Sequence, residues 1–289
     1  MTQLTQGSFR YLVIALTVLG LPLLAADGPA YTFTSIDVPG HVWTLALGIN
    51  NRGEIVGHYP GYQPISTGFL KYGSTFTDVV YPGASYTRLY GINDRGQIVG
   101  FYNYPVESSR GFLTDGTAFT PVDYPGAAAT AAYCTNNRGQ IVGSYLGADG
   151  RWHGFLKDRD TFSSFDYPGA TQTEPFGINE VGEIVGTYLV GVDAHGFLKD
   201  GDAFTSIDYP GAKQTGAYRI NNRGQIVGYY DDSQGRRHGF VKDRGGFTPI
   251  DYPDATMTGA AGINDRGQIV GVYYVSAWDY HGFLATPKH

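Results

Sequence analysis

The feature that most constrains this chain is a decamer, Gly-Ile-Asn-Asp-Arg-Gly-Gln-Ile-Val-Gly, at Gly91–Gly100, which returns unchanged at Gly262–Gly271. Close variants stand at 48–57, 134–143, 177–186 and 219–228. Counted from Phe33, Phe76, Phe119, Phe162, Phe204 and Phe247, the copies recur every 42 or 43 residues. A fixed period of this size means a repeat architecture, in which each unit completes its core against its neighbours.

Within one unit the punctuation is that of short strands. Phe204–Tyr209 is rich in β-formers and ends at Pro210-Gly211. Gly216–Ile220 runs into Asn221-Asn222-Arg223-Gly224, Gln225–Tyr230 is the next apolar run, and His238–Lys242 the last. Four such runs separated by turn residues predict a four-stranded antiparallel meander. The abundance of Tyr (23) and Gly (42) supports an all-β fold. All six copies carry Asn at the head of the central turn and Gly three residues later, as at Asn50 and Gly53. The Asn side chain can bond its own backbone two residues on, and the Gly supplies the left-handed residue of a bulged hairpin. The turn is too short, and too basic where it carries Arg52, to be a calcium loop.

The spacing of His and Asp predicts how the units close. His195 and Asp208 lie symmetrically about Gly201-Asp202, so a short hairpin centred there sets them opposite each other. The same arithmetic pairs His153 with Asp166 and His238 with Asp251, and places Arg110 opposite Asp123. In the first copy the two positions are Thr67 and Val80, so both partners are replaced together. His281 has no following strand, and by repeat phase its partner is Asp37 near the start. The N-terminal strand is therefore expected to complete the last sheet, which leaves no open edge. The reading is an all-β, six-bladed β-propeller of four-stranded antiparallel blades, against tandem trefoils or an open solenoid that would not bring Asp37 to His281.

Residues 1–26 read as a secretory signal peptide, with Arg10 before the apolar run Tyr11–Leu24 and Ala25-Ala26 as the cleavage site. Fourteen apolar residues fall short of the roughly 20 that span a bilayer. Residues 27–289 then form one exported, secreted or periplasmic domain with no membrane segment. The full chain's net charge of −6 argues against nucleic acid as a partner. One cysteine excludes an intrachain disulfide framework.

The pattern Gly-Ile-Asn-Asn-x-Gly-x-Ile-Val-Gly-x-Tyr, a variable loop and then His-x-Phe-Leu resembles the extracellular HAF repeat. Here the triplet is His-Gly-Phe at His153, His195, His238 and His281, while Thr67 and Arg110 depart from it. The resemblance covers essentially the whole exported chain. It implies a bacterial exported protein and a repeat type, and carries no catalytic residues with it.

In a meander, successive connections alternate between the two faces. The nearly invariant Asn turns share one face with the Lys-Asp-Gly turns. The variable connections, at 60–67, 103–110, 146–152, 189–194, 231–237 and 274–280, share the other, and function favours variable loops on a rigid scaffold. That face holds all three tryptophans, Trp43, Trp152 and Trp278, with Tyr62, Tyr86, Tyr104 and Tyr280. Flat rings interspersed with Glu174, Asp231, Asp232, Arg236 and Arg237 suit sugars. Packing of loop against loop accounts for the same aromatics.

The four repeated histidines, one per unit, are too far apart around a ring to share a metal, so His–Asp pairing is their expected role and no metal or cofactor is expected. His41 and His58 occur once each, and Cys134 replaces a repeat Gly as a small buried residue. No nucleophile elbow, zinc-protease motif or phosphate loop is present. A carboxylate pair drawn from Glu174 and Asp231 or Asp232 is conceivable for glycoside hydrolysis, but nothing in the spacing selects it. The sequence therefore predicts a non-catalytic, monomeric binding module for glycan or an extracellular protein. A polysaccharide hydrolase or lyase, or an interaction scaffold, are the alternatives.

Overall fold

A computed structural model describes residues 31–61, 66–104 and 108–288. It contains 24 strands in six four-stranded antiparallel groups, covering 45–79, 86–121, 129–165, 172–207, 214–250, and 257–287 with 31–36. These are the six blades of a propeller. A single parallel bridge from Ser66 to Tyr86 joins the first blade to the second. Among the described residues no helix is long and apolar enough to cross a membrane. The proposed signal peptide lies outside the described residues.

The fifth blade shows how each is built. Strands β18 (Gln214–Ile220), β19 (Ile226–Asp231), β20 (Arg237–Asp243) and β21 (Gly246–Ile250) run outward from the axis in chain order. The blade is offset from the sequence unit by one strand. The Phe204 run, strand β17 (Ala203–Ile207), belongs to the preceding blade, where Asp200 pairs with Ala203 across the two-residue loop Gly201-Asp202. In the last blade β22 (Met257–Ile263), β23 (Ile269–Ser276) and β24 (Asp279–Pro287) are followed by β1 (Tyr31–Ile36), which pairs along β24 from Tyr31↔Pro287 to Ile36↔Gly282. His281 Nδ1 lies 2.6 Å from Asp37. The ring is closed, and neither trefoils nor a solenoid describe it.

The His–Asp pairs recur at 2.8 Å for His153–Asp166 and His195–Asp208 and 2.9 Å for His238–Asp251. Arg110 and Asp123 stand 3.8 Å apart in the second blade. Inward of these, six phenylalanines of the His-Gly-Phe position, from Phe69 to Phe283, are fully buried between blades. The last Gly of each decamer lets them pack: a Cβ on Gly228 would stand 1.9 Å from the Gly216 carbonyl and 3.0 Å from Phe240.

The Asn of each turn works twice. In the first blade Asn50 Oδ1 accepts from the Arg52 and Glu54 amides, both at 3.0 Å, and Gly53 takes φ +82°. The Asn50 amide also reaches the next blade's Asn93 carbonyl at 3.0 Å. The same step runs through Asn93, Asn136, Asn179 and Asn221 to Asn264, whose amide returns to the Asn50 carbonyl at 3.1 Å. A closed circle of six amide–carbonyl bonds thus ties the inner ends of the blades. These buried amides are satisfied only when all six blades are in place.

Candidate functional site

Each innermost strand carries a β-bulge at one repeat position: Leu47, Tyr90, Tyr133, Phe176, Tyr218 and Ala261. A bulge re-aims the side chain it carries. Here the bulged row faces the axis, where all six residues line one cavity. The residue after the bulge is Gly in four blades, because the waist is narrow: a Cβ on Gly91 would stand 2.7 Å from the Tyr133 carbonyl. The third blade has Cys134 there, and the fifth has Arg219.

Arg219 fills the waist. Its guanidinium donates to the carbonyls of Tyr90 at 2.6 Å, Tyr133 at 2.8 Å, Tyr218 at 3.0 Å, and to that of Phe176. Burial works against its charge, and the carbonyls aimed at it offset that cost. The side chain divides the axis into two compartments.

On the conserved-turn face a funnel of about 80 Å³ is ringed by the second residue of each turn. In order these are Asn51, Asp94, Asn137, Glu180, Asn222 and Asp265, amide alternating with acid. Each backbone amide donates to the next side chain, as Asn51 to Asp94 at 2.7 Å and Asp265 to Asn51 at 2.8 Å. The acids are engaged by this ring. Among the described residues no three His, Cys, Asp or Glu side chains converge on a metal position.

On the variable-loop face lies the larger cavity, about 440 Å³, within the range of small-ligand sites. Tyr90, Tyr133, Phe176 and Tyr218 wall it, with Tyr229, His58, Arg88 and Arg237 above them. The rings pack edge to face, Tyr90 with Tyr133 at 5.1 Å and Phe176 with Tyr218 at 5.2 Å. Arg237 is bound to Asp231 at 2.9 and 3.1 Å and lies 3.7 Å above the Tyr229 ring. Arg88 lies 5.8 Å from both Tyr86 and Phe101 and forms no ion pair among the described residues; its Nε is buried without a partner there. His58 is 5% exposed and its Nδ1 is likewise unpartnered. Burial, then the neighbouring Arg88 charge, pushes its pKa down to about 3, so it is neutral. Burial raises the pKa of Glu174, whose charge is felt by Tyr133, Tyr218 and Tyr229.

The residues chosen from the sequence separate into groups. Trp43 stacks on Tyr280 at 5.0 Å, and Tyr280 contacts Tyr274 of the cavity wall at 5.1 Å, so these extend the wall toward the loops. Tyr86 approaches Arg88, and Glu174 stands by the axial tyrosines. Trp152 is half-buried at the strand position that Arg237 and Tyr280 occupy in their blades. Tyr104 packs edge-on to Tyr102 at 5.6 Å inside its own blade. Asp232 caps its turn, accepting from the Gln234 and Arg236 amides, and lies 3.5 Å from His238. Arg236 and Trp278 are exposed, Trp278 by 88%. Tyr62 lies outside the described residues. Cys134 is buried, with its thiol 3.9 Å from the Ile178 carbonyl.

Arg88, Tyr90, Tyr133, Phe176, Tyr218 and Arg219 were not chosen from the sequence. For the two arginines a signal was present: Arg88 and Arg219, like Glu174, break the repeat inside an otherwise apolar or Gly-rich inner strand.

No family model matches the chain, and no curated protein matches it. Solved structures do. The β-propeller domain of the Trilobed protease from Pyrococcus furiosus is similar over 84% of this chain and 78% of its own, at 12% identity and TM-score 0.53. A putative gluconolactonase is similar over 90% and 93%, at 10% identity and TM-score 0.53. The SapL1 lectin in complex with alpha methyl fucoside is similar over 81% and 88%, at 10% identity and TM-score 0.53. Three equal likenesses to proteins with different names show the shared propeller fold, and fold alone does not select a function.

Proposed function

We propose that the protein is an exported propeller of the HAF-repeat type that binds a glycan in the axial cavity of its variable-loop face, without chemistry. The observation that carries this reading is the cavity itself: four aromatic side chains from four blades converge on about 440 Å³ of accessible space beside polar side chains. Aromatic faces stack on the apolar faces of sugar rings, while Arg, His and Tyr hydroxyl groups bond the sugar hydroxyls. The Trp43–Tyr280–Tyr274 stack prolongs this surface outward, which suits an oligosaccharide entering end-on. The SapL1 lectin, with its alpha methyl fucoside, is in keeping with sugar binding on this fold.

Binding is preferred to hydrolysis because of the carboxylates. Glycoside hydrolysis needs two, held at a set separation on either side of the bond. Glu174 is one candidate, but Asp231 is locked to Arg237 and Asp232 to its own turn.

The test is a screen of the protein from residue 27 onward against an array of neutral and acidic glycans, repeated with Tyr133→Ala and Tyr218→Ala. Specific binding that both substitutions weaken supports the reading. Binding that neither affects would move the site off the axis, and no glycan bound would leave a protein ligand or a scaffold role.

A further inference from the structure

We infer that the axial cavity selects a sugar carrying a carboxylate, with Arg88 as the residue that meets it. The inference rests on the glycan-binding reading and specifies its ligand.

Three cations reach the cavity, and they are not equivalent. Arg237 is neutralised by a two-point contact with Asp231. Arg219 is consumed in the floor, its donors turned to backbone carbonyls. Arg88 stands in the second blade, across the axis from Arg237 in the fifth. It forms no ion pair among the described residues, and its Nε is buried with no partner there. A buried donor left empty costs free energy that a ligand can recover. His58, in the neighbouring first blade, is a second buried group with an unpartnered nitrogen. Being neutral, it can donate one hydrogen bond to a ligand oxygen.

The fork of a guanidinium matches a carboxylate at two points. Tyr86 and Phe101 flank the Arg88 group at 5.8 Å and it donates a hydrogen bond to the Tyr90 hydroxyl, while its Nε keeps no partner among the described residues. The balance of charge points the same way. Among the described residues the cavity is lined by Arg88, Arg237 and the floor guanidinium and by no acid, and burial biases nearby Glu174 toward its neutral form. The protein as a whole carries −6, so a long polyanion is repelled from its surface while one anionic group is welcomed at the axis. The ligand is therefore a short acidic oligosaccharide or the acidic end of a longer one.

The experiment measures binding of oligogalacturonides, their carboxyl-reduced neutral counterparts, and sulfated or phosphorylated oligosaccharides to the wild-type protein. Arg88→Gln, Arg88→Lys and Asp231→Asn are compared with it. The expected result is a preference of about tenfold or more for a carboxylated sugar over its reduced form. Arg88→Gln abolishes that preference, and Arg88→Lys, which keeps charge without the fork, retains part of it. Asp231→Asn frees Arg237 and raises acid affinity, a gain that misfolding cannot imitate. Equal or better binding of neutral sugars overturns the inference and leaves the glycan reading intact. Preference for sulfate or phosphate overturns the carboxylate assignment, and binding of no glycan overturns both.

Discussion

His281 and Asp37, separated by 244 positions in the chain, meet at 2.6 Å. The contact repeats in the last blade what His153–Asp166, His195–Asp208 and His238–Asp251 do within single hairpins. The N-terminal strand therefore enters the last sheet in the same register as an ordinary fourth strand. Closure is carried by that strand's ladder and apolar contacts, with the half-exposed His–Asp contact as a marker of register.

That division of labour is testable. Asp37→Asn should cost less than about 1 kcal/mol, because the pair is half-exposed and solvated. Removing β1, which carries six paired positions and buries Ile36, should lower the melting temperature by tens of degrees or yield aggregates through the bared edge of β24. Urea and thermal unfolding of the two variants separate the effects. A point mutant as damaging as the deletion would overturn the argument.

Two glycines four residues apart in one decamer should respond differently. Gly224 takes φ +76° with open space around its α-carbon, so Gly224→Ala should cost about 1–2 kcal/mol of local strain. Gly228 has no room at all, a Cβ landing 1.9 Å from the Gly216 carbonyl. Gly228→Ala must displace the inner strand and should prevent folding or cost well over 3 kcal/mol. Circular dichroism with denaturant titration distinguishes the two.

Arg219 occupies a position that is Gly in four other blades, so Arg219→Gly asks whether the plug is structural. It strands the carbonyls of Tyr90, Tyr133 and Phe176, unless water enters the waist. We expect a folded protein destabilised by about 2–3 kcal/mol, with the two axial compartments joined. Denaturant unfolding checks the first expectation, and a crystal structure of the variant the second.

His58 makes stability depend on acid. Its folded pKa, about 3, lies below its unfolded value near 6.5. A depressed pKa means the unfolded chain takes up the proton first. The protein is then unaffected by this group above about pH 6.5, and loses stability as pH falls from there toward 3. At pH 5 the loss from this one group is about 2 kcal/mol, and His58→Gln should remove it. His153 has the opposite sign. Burial would lower its pKa, but hydrogen bonds to Asp166 and Asp149 raise it overall. Its contribution is complete below its unfolded pKa and fades as pH rises through the folded value. Asp149→Asn should flatten the decline that begins at the unfolded pKa near 6.5, and melting temperatures from pH 4 to 9 check both residues.

The sequence by itself determined the number of units, the turns, the strand order and the way the ends meet. The turns and strand order rest on spacing within about a dozen residues, the unit count on the period of 42 or 43, and the meeting of the ends on carrying the His–Asp spacing around by repeat phase. Asn50 with Gly53, and His195 with Asp208, are legible because a hairpin brings them together whatever the rest of the chain does. The choice of the variable-loop face also came from connectivity alone. What only the tertiary structure decided is which side chains share the axis. Tyr90, Tyr133, Phe176 and Tyr218 lie about 43 residues apart and reach one cavity only because a bulge turns each of them inward. A one-residue slip in a strand reverses which side chains face in, so the bulge had to be seen before the axial row could be read. Arg219 makes the same point: a cation in a row of glycines looks like drift along the chain, and becomes a plug when three other blades turn their carbonyls toward it.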